Sequence, residues 1–224
     1  MKKFLCFLCI LLLGFGMSGV ANALLYDRGG GLIYDDYLNI TLLQDANYAM
    51  TSGYDSDGRM TWDNAVAWAD QLEYQGYKDW RLPDAHNHDG SGPVFGFNAT
   101  SEMGHMYYGN LGGSASGSFP GMDFTDSVTG ETRSFQNLQH GSSGSDSYWS
   151  VPPSILTSGA GYTFNFTGGS QGLSVLDLDH VAWAVREGDS FPGGQNPVPE
   201  PTTMLLFGAG LVGLAGFGRK KFKK

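Results

Sequence analysis

Asp55-Ser56-Asp57-Gly58 sets two carboxylates two residues apart ahead of a glycine, the way a calcium loop begins. An EF-hand loop ends on a glutamate at its twelfth position, and the twelfth residue from Asp55 is Val66. Asp177-Leu178-Asp179 is a further source of oxygen ligands on another loop. Two readings stand, calcium on Asp55 and Asp57 or a solvated acidic turn, and the turn is favoured. A calcium titration that leaves the melting temperature unchanged removes the first. His86-Asn87-His88-Asp89 raises the same question for a transition metal. His-x-His chelates if its loop curls, but no third ligand is identifiable, and His105, His140 and His180 are scattered.

Trp62, Trp68, Trp80, Trp149 and Trp183 are rings able to stack on sugars. Core packing is the better reading, because a domain without disulfides needs large buried side chains. Trp68 lies off the main helical stripe and is the one expected at the surface. Arg81, between Trp80 and Leu82-Pro83, needs a carboxylate or several carbonyls if buried, and a structural ion pair is favoured over ligand contact. Arg186 is read the same way. No nucleophile–base set is apparent. Gly113-Ser114-Ala115-Ser116-Gly117 has the glycine spacing of a nucleophile elbow but carries alanine in the nucleophile's place.

Certain elements must position these groups. Residues 32–44, "LIYDDYLNITLLQ", are strand-like, with Leu38, Ile40 and Leu42 alternating with polar residues. Residues 61–77 predict the best helix. Thr61 caps it, Trp62, Ala65, Val66, Ala69 and Leu72 form its buried face, and Gly76 closes it. Residues 78–83 predict a short strand stopped by Pro83, and 100–112 a second short helix. Residues 112–147 are rich in Gly, Ser and Asp and read as irregular. Strands are expected at 147–151, 161–169 and 180–188. Helices and strands without β-α-β alternation predict an α+β class.

The two ends speak of destination. Lys2 and Lys3 precede an apolar core, Phe4 to Phe15, and Ala21-Asn22-Ala23 is an A-x-A cleavage site, so residues 1–23 read as a signal peptide and the mature chain starts at Leu24. The only cysteines, Cys6 and Cys9, lie in that signal, which leaves the exported part without disulfide, thiolate metal site or cysteine nucleophile. Residues 191–198 are a Pro/Gly linker. Thr202 to Gly218 is uncharged, long enough as a helix of about 26 Å to cross a hydrocarbon core. Arg219, Lys220, Lys221, Lys223 and Lys224 follow and keep that end cytoplasmic. Between Leu24 and Val198, 21 acidic residues face six basic ones, a net charge near −15. Such a chain disfavours nucleic acid and anionic membrane surfaces as partners and attracts divalent cations.

Pro199-Glu200-Pro201, the apolar segment and the basic cluster together resemble the PEP-CTERM sorting signal of Gram-negative bacteria. That resemblance implies processing by exosortase, a membrane protease, with a transient stay in the inner membrane through a transmembrane helix at 202–218. The middle of the chain resembles the Lcl C-terminal domain family. The matching pieces are "MTWDNAVAWADQL", Trp80-Arg81-Leu82-Pro83, "SEMGHMYYGNLG", Tyr148-Trp149-Ser150, "YTFNFTGGSQ" and "AWAVREGD" with Trp183 and Arg186. This implies a single C-type-lectin-like domain over residues 24–190 with long Gly/Ser-rich loops. The family's namesake binds sulfated polysaccharide. The chain departs from the family at Asp84, Val151 and Glu187, and its negative charge opposes binding a polyanion, so that ligand is not carried over.

The sequence thus predicts an exported surface or matrix protein whose domain is a noncatalytic binding module associated with extracellular polysaccharide or biofilm. A purely structural surface protein is the alternative, and an enzyme is the least favoured reading. No cofactor is required, with calcium the one candidate.

Overall fold

The computed structural model describes residues 24–141, 146–154 and 157–194. Among these, extended structure dominates. The first sheet joins β1 (Leu25–Gly29), β2 (Leu32–Asp35), β3 (Ile40–Leu43) and β12 (Val185–Glu187) in the order β1-β2-β3-β12, all antiparallel. The expected continuous strand over 32–44 is a hairpin. The Asp35 carboxylate accepts the Tyr37 and Leu38 N–H groups, both at 3.0 Å, and Asn39 turns at φ 53°. A short acidic side chain that satisfies two backbone donors makes a turn compete with the strand. Every residue of β3 is buried, so the sheet is covered on both faces there.

The second sheet runs β4-β11-β8-β9-β10-β5. Its strands are β4 (Arg59–Met60), β5 (Gly96–Phe97), β8 (Tyr148–Pro153), β9 (Ala160–Asn165), β10 (Ser170–Val175) and β11 (His180–Val181). The expected strand over 180–188 is split between the two sheets. β11 belongs to the second and β12 to the first, and Ala182-Trp183-Ala184, fully buried, crosses between them. A small third sheet, β6 (Asp123–Thr125) with β7 (Thr132–Ser134), lies inside the stretch expected to be irregular.

Helix is sparse. It comprises α1 (Tyr48–Thr51), α2 (Trp62–Gln71) and α3 (Glu102–His105), the last continuing as one π-helical segment Met106–Asn110. The expected α+β class is therefore corrected to a fold built mostly of β-sheet. The helix predicted to reach Gly76 ends at Leu72, whose backbone is extended, because Tyr74 and Tyr77 exchange backbone hydrogen bonds at 3.0 Å and pull the chain into a turn. Trp68, expected at the surface, is 2% exposed. The buried face of α2 is Ala65, Trp68 and Ala69, rotated from the predicted stripe so that Trp68 is buried and Trp62 only partly so. The segment 78–83 forms no strand of its own; Arg81 alone bridges to Val185. The proposed transmembrane helix at 202–218 falls outside the described residues, and no helix among the described residues is long and apolar enough to cross a membrane.

The core joins both sheets. Trp80, Trp149, Trp183, Tyr107, Tyr148, Phe135, Phe164 and Phe166 are its large fully buried rings. Each of those three indoles finds an acceptor: Trp80 on Tyr77 O at 3.2 Å, Trp149 on Met60 O at 2.8 Å and Trp183 on Leu43 O at 2.8 Å. A buried indole keeps its place at low cost only when its N–H is satisfied.

Asp126 ties the small hairpin to β1. It is buried, with Oδ2 accepting the Asp27 N–H at 2.7 Å and Oδ1 accepting the Val128 and Thr129 N–H groups at 3.1 and 2.7 Å. Burial by itself raises its pKa, but these donors and the Thr129 hydroxyl outweigh it and hold the carboxyl below the usual range. A depressed folded pKa contributes stability above the unfolded value of about 3.9 and loses it as pH falls through the folded value. Asp126→Asn is expected to cost about 1–3 kcal/mol at neutral pH. It should also flatten the decline of the urea midpoint below about pH 4, which denaturation series at several pH values would read.

Candidate functional site

Arg81 organises the most polar cleft. Its backbone exchanges hydrogen bonds with Val185, N to O at 2.8 Å and O from N at 2.9 Å, which sets the guanidinium beside Glu187 on β12 and Glu102 in the first turn of α3. Nη1 and Nη2 donate to the two Glu102 oxygens at 2.8 and 2.7 Å. Nη1 also donates to Leu82 O at 3.1 Å, and Nε and Nη2 both donate to Glu187 Oε1. All five donors of the guanidinium are thereby used. Burial alone lowers the Arg81 pKa, and Glu102, then Glu187, more than restore it, so the group stays charged. Glu102 Oε2 further accepts the Asp84 N–H at 2.7 Å. Arg81 is thus ion-paired with Glu102 and Glu187. Leu82 is buried, and Pro83 O accepts the Val151 N–H at 2.9 Å.

The cleft beside this pair has a volume of about 430 Å³ and is walled by Leu38, Arg81, Asp84, His86, His88 and Glu187. His86 Nδ1 lies 2.7 Å from Asp84 Oδ1. Next to Leu38 and His88 of that lining is Tyr37, 50% exposed, stacked on His105 with ring centroids 4.4 Å apart and 5.3 Å from the His88 ring. Burial depresses the His105 pKa more than the nearby Asp35 raises it, so this stack carries a neutral imidazole at neutral pH. Tyr37 is the ring that sequence reasoning missed. It sits in a turn that the sequence presents as strand.

Of the tryptophans expected in the core, Trp62 is only partly buried. Trp80, Trp149 and Trp183 expose no face, and half-buried Trp62 donates to Ser150 O at 2.9 Å. Arg186 is also an ion pair. It donates to both Asp79 oxygens at 2.8 Å and lies 4.0 Å above the Tyr77 ring, and its hydrogen bonds hold the Asp79 carboxyl below its usual pKa. Among the described residues all six cations are paired: Arg28 with Asp189, Arg59 with Asp146, Lys78 with Glu73, Arg81 with Glu102, Arg133 with Asp27 and Arg186 with Asp79.

Asp55 and Asp57 serve their own turn. Asp55 Oδ1 accepts the Asp57 and Gly58 N–H groups at 3.0 and 2.9 Å, and Asp57 Oδ1 accepts that of Arg59 at 3.0 Å. Gly58 has φ +73°, and a Cβ there would sit 1.7 Å from Asn47 Oδ1, so glycine is required by the fold with or without a ligand. The antiparallel pairing of β4 with β11 puts Asp177 and Asp179 beyond the Met60 end and Asp57 beyond the Arg59 end, so the two acidic loops do not converge. Among the described residues no three His, Cys, Asp or Glu side chains gather to hold a metal. Millimolar calcium is expected to leave the melting temperature unchanged, read by thermal denaturation with and without a chelator.

A second groove of about 550 Å³ runs past Thr163, Ser174, Leu178 and His180, with Ser174 Oγ 2.7 Å from His180 Nε2. Ser174 faces Gly161, one pair from the end of the β9–β10 ladder.

Comparison with known families decides the destination. Residues 197–220 match the PEP-CTERM protein-sorting motif. The matched span takes in Pro199, Glu200, Pro201, Arg219 and Lys220. A PEP-CTERM chain is a substrate recognised by exosortase, exported across the inner membrane and placed at the surface or outside the cell. No curated protein matches this chain, and no solved structure does. The expected Lcl-type, C-type-lectin-like domain is therefore corrected. The family match lies at residues 197–220, and the sheet-dominated architecture of the described residues is not the α+β fold that the resemblance implied. Short motifs such as Trp-Arg-Leu-Pro reflect local demands, here an indole in the core and a paired arginine, that unrelated folds also make.

Proposed function

We propose that this exported, exosortase-sorted protein is a noncatalytic binding module of the extracellular polysaccharide or biofilm matrix, and that its ligand enters the Arg81 cleft. The observation that supports this most is the half-exposed Tyr37 ring, 5.3 Å from the ring of His88, which lines the cleft together with His86 and Asp84. A flat ring beside convergent planar polar groups suits a pyranose, whose faces are apolar and whose rim is hydroxyl. With all six cations of the described residues already paired, the ligand is neutral or amine-bearing rather than sulfated.

A glycan array probed with the purified 24–198 fragment, with and without calcium, tests this. Saturable binding to neutral or amino sugars that Tyr37→Ala abolishes is expected. Absence of binding to any neutral or acidic glycan would leave a structural surface protein.

Signal removal after Ala23 is part of the same reading. The Leu24 backbone nitrogen lies 2.8 Å from Asp36 Oδ1, so cleavage there would create an ammonium beside a carboxylate. The exported protein should begin at Leu24 by intact mass. Asp36→Asn should lower stability by less than about 1 kcal/mol, the range of exposed pairs.

A further inference from the structure

The end of the domain is held rigidly. Arg28 donates to both oxygens of Asp189, at 2.8 and 2.6 Å, and its guanidinium lies 4.8 Å from the Phe191 ring and 4.7 Å from that of Tyr26. Phe191 N donates to Tyr77 Oη at 3.0 Å, and Arg186, lying over that same Tyr77 ring, donates to the Ser190 hydroxyl. The chain then passes so close to Gly76 that a Cβ there would sit 3.3 Å from Gly194 N. Two arginines therefore fix the point at which the tail leaves, beside Gly30 and Gln75, whose Nε2 donates to Gly30 O at 3.0 Å.

From Gly194 to Pro199 is five residues, which span at most about 17 Å however they are arranged. A fold of residues 24–194 has a radius of gyration of about 16 Å and hence a diameter of roughly 40 Å. The tether is less than half the width of the body it carries. While Pro-Glu-Pro sits in a protease at the membrane surface, the folded domain has no room to swing away, and the face around its exit meets whatever lies there. Lipid is a poor partner for that face. The exported part carries a net charge near −15 and every described cation is paired with a carboxylate, so no free positive charge on that face attracts a lipid phosphate.

We infer that the folded domain docks on the exosortase itself, through the rim formed by Gly30, Tyr74, Gln75, Gly76 and Pro192, while the sorting signal is read. This rests on the sorting motif and goes beyond the polysaccharide reading, whose cleft it does not use.

The test uses the full chain in cells with a cleavage-dead exosortase and a photoreactive amino acid in place of Gln75, of Lys78 beside Tyr77, or of Val128. Val128 is 68% exposed and follows Asp126, which bridges to Leu25 at the opposite end of β1 from Gly29 and Gly30. Crosslinks to exosortase from Gln75 and Lys78, with none from Val128, are expected. A spacer of roughly twenty Gly/Ser residues after Gly194 adds about 25 Å of reach. It should cut the Gln75 crosslink by about fivefold or more through loss of effective concentration. Equal crosslinks from all three sites, or none from Gln75 and Lys78 while the uncleaved chain accumulates, would overturn the docking face. Processing that proceeds unchanged without any exosortase would instead overturn the sorting assignment on which it depends.

Discussion

Trp183→Ala is expected to remove about 3–5 kcal/mol of folding stability, the usual cost of truncating a buried indole. Trp183 lies on the buried crossing from β11 to β12, and its ring meets Phe135 at 5.3 Å, Tyr148 at 5.8 Å and Phe166 at 5.9 Å. Those partners come from the small hairpin's β7 side, from β8 and from the end of β9, so one side chain closes the space between both large sheets. Truncation leaves a cavity and strips Leu43 O of its indole donor. A domain of this size holds only about 5–15 kcal/mol in total, and the exported part has no disulfide in reserve. Trp183→Phe keeps most of the ring volume and should cost less, leaving mainly the unpaired carbonyl. Urea denaturation followed by far-UV circular dichroism would rank the two variants. Equal midpoints for Ala, Phe and wild type would refute the central placement of this ring.

Glu102→Ala should cost about 3–5 kcal/mol, because it strips a half-buried guanidinium of its bidentate partner. The Arg81 side chain is 28% exposed and that of Glu102 only 13%, so water compensates little for the loss. Asp84 N–H loses its acceptor at the same time. Glu187 also bonds Arg81, but its side chain is 68% exposed, and Glu187→Ala should cost less than about 1 kcal/mol. Glu102→Gln retains the shape and one acceptor and should fall between them. That order, Glu102→Ala worst and Glu187→Ala mildest, distinguishes a buried structural pair from a rim of solvated charges. Denaturant midpoints of the three variants would show it.

The elements that the sequence predicted well are those with enough length to show their period. Residues 61–72 present helical spacing, and the aromatic alternation of Tyr162 and Phe164 is that of β9. The errors sit where a local interaction cuts a pattern short. Asp35 caps its own turn and breaks one apparent strand into two. The Tyr74–Tyr77 bridge ends α2 before Gly76 is reached. β6 and β7 have three residues each, too few to show alternation, and are held by the burial of Phe124 and Phe135 and by Asp126. Trp68 went to the core against its stripe, while Trp62, an equally large ring at the start of the same helix, stays only partly buried.

Destination and binding surface differ in the same way. A sorting signal is read by other proteins as a linear string, so Pro199-Glu200-Pro201 and the basic residues behind the apolar segment carry their meaning in order and spacing alone. Neither requires a folded neighbour. The cleft is assembled from Tyr37 in a β2–β3 turn, Arg81 to His88 in a loop, Glu102 in a helix and Glu187 on the last strand. Those positions lie up to 150 residues apart, and only the pairing of β3 with β12 and the bridge from Arg81 to Val185 bring them together. Where the chain goes is therefore legible in its residues; what it touches there depends on contacts that exist only once two sheets have closed over a shared aromatic core.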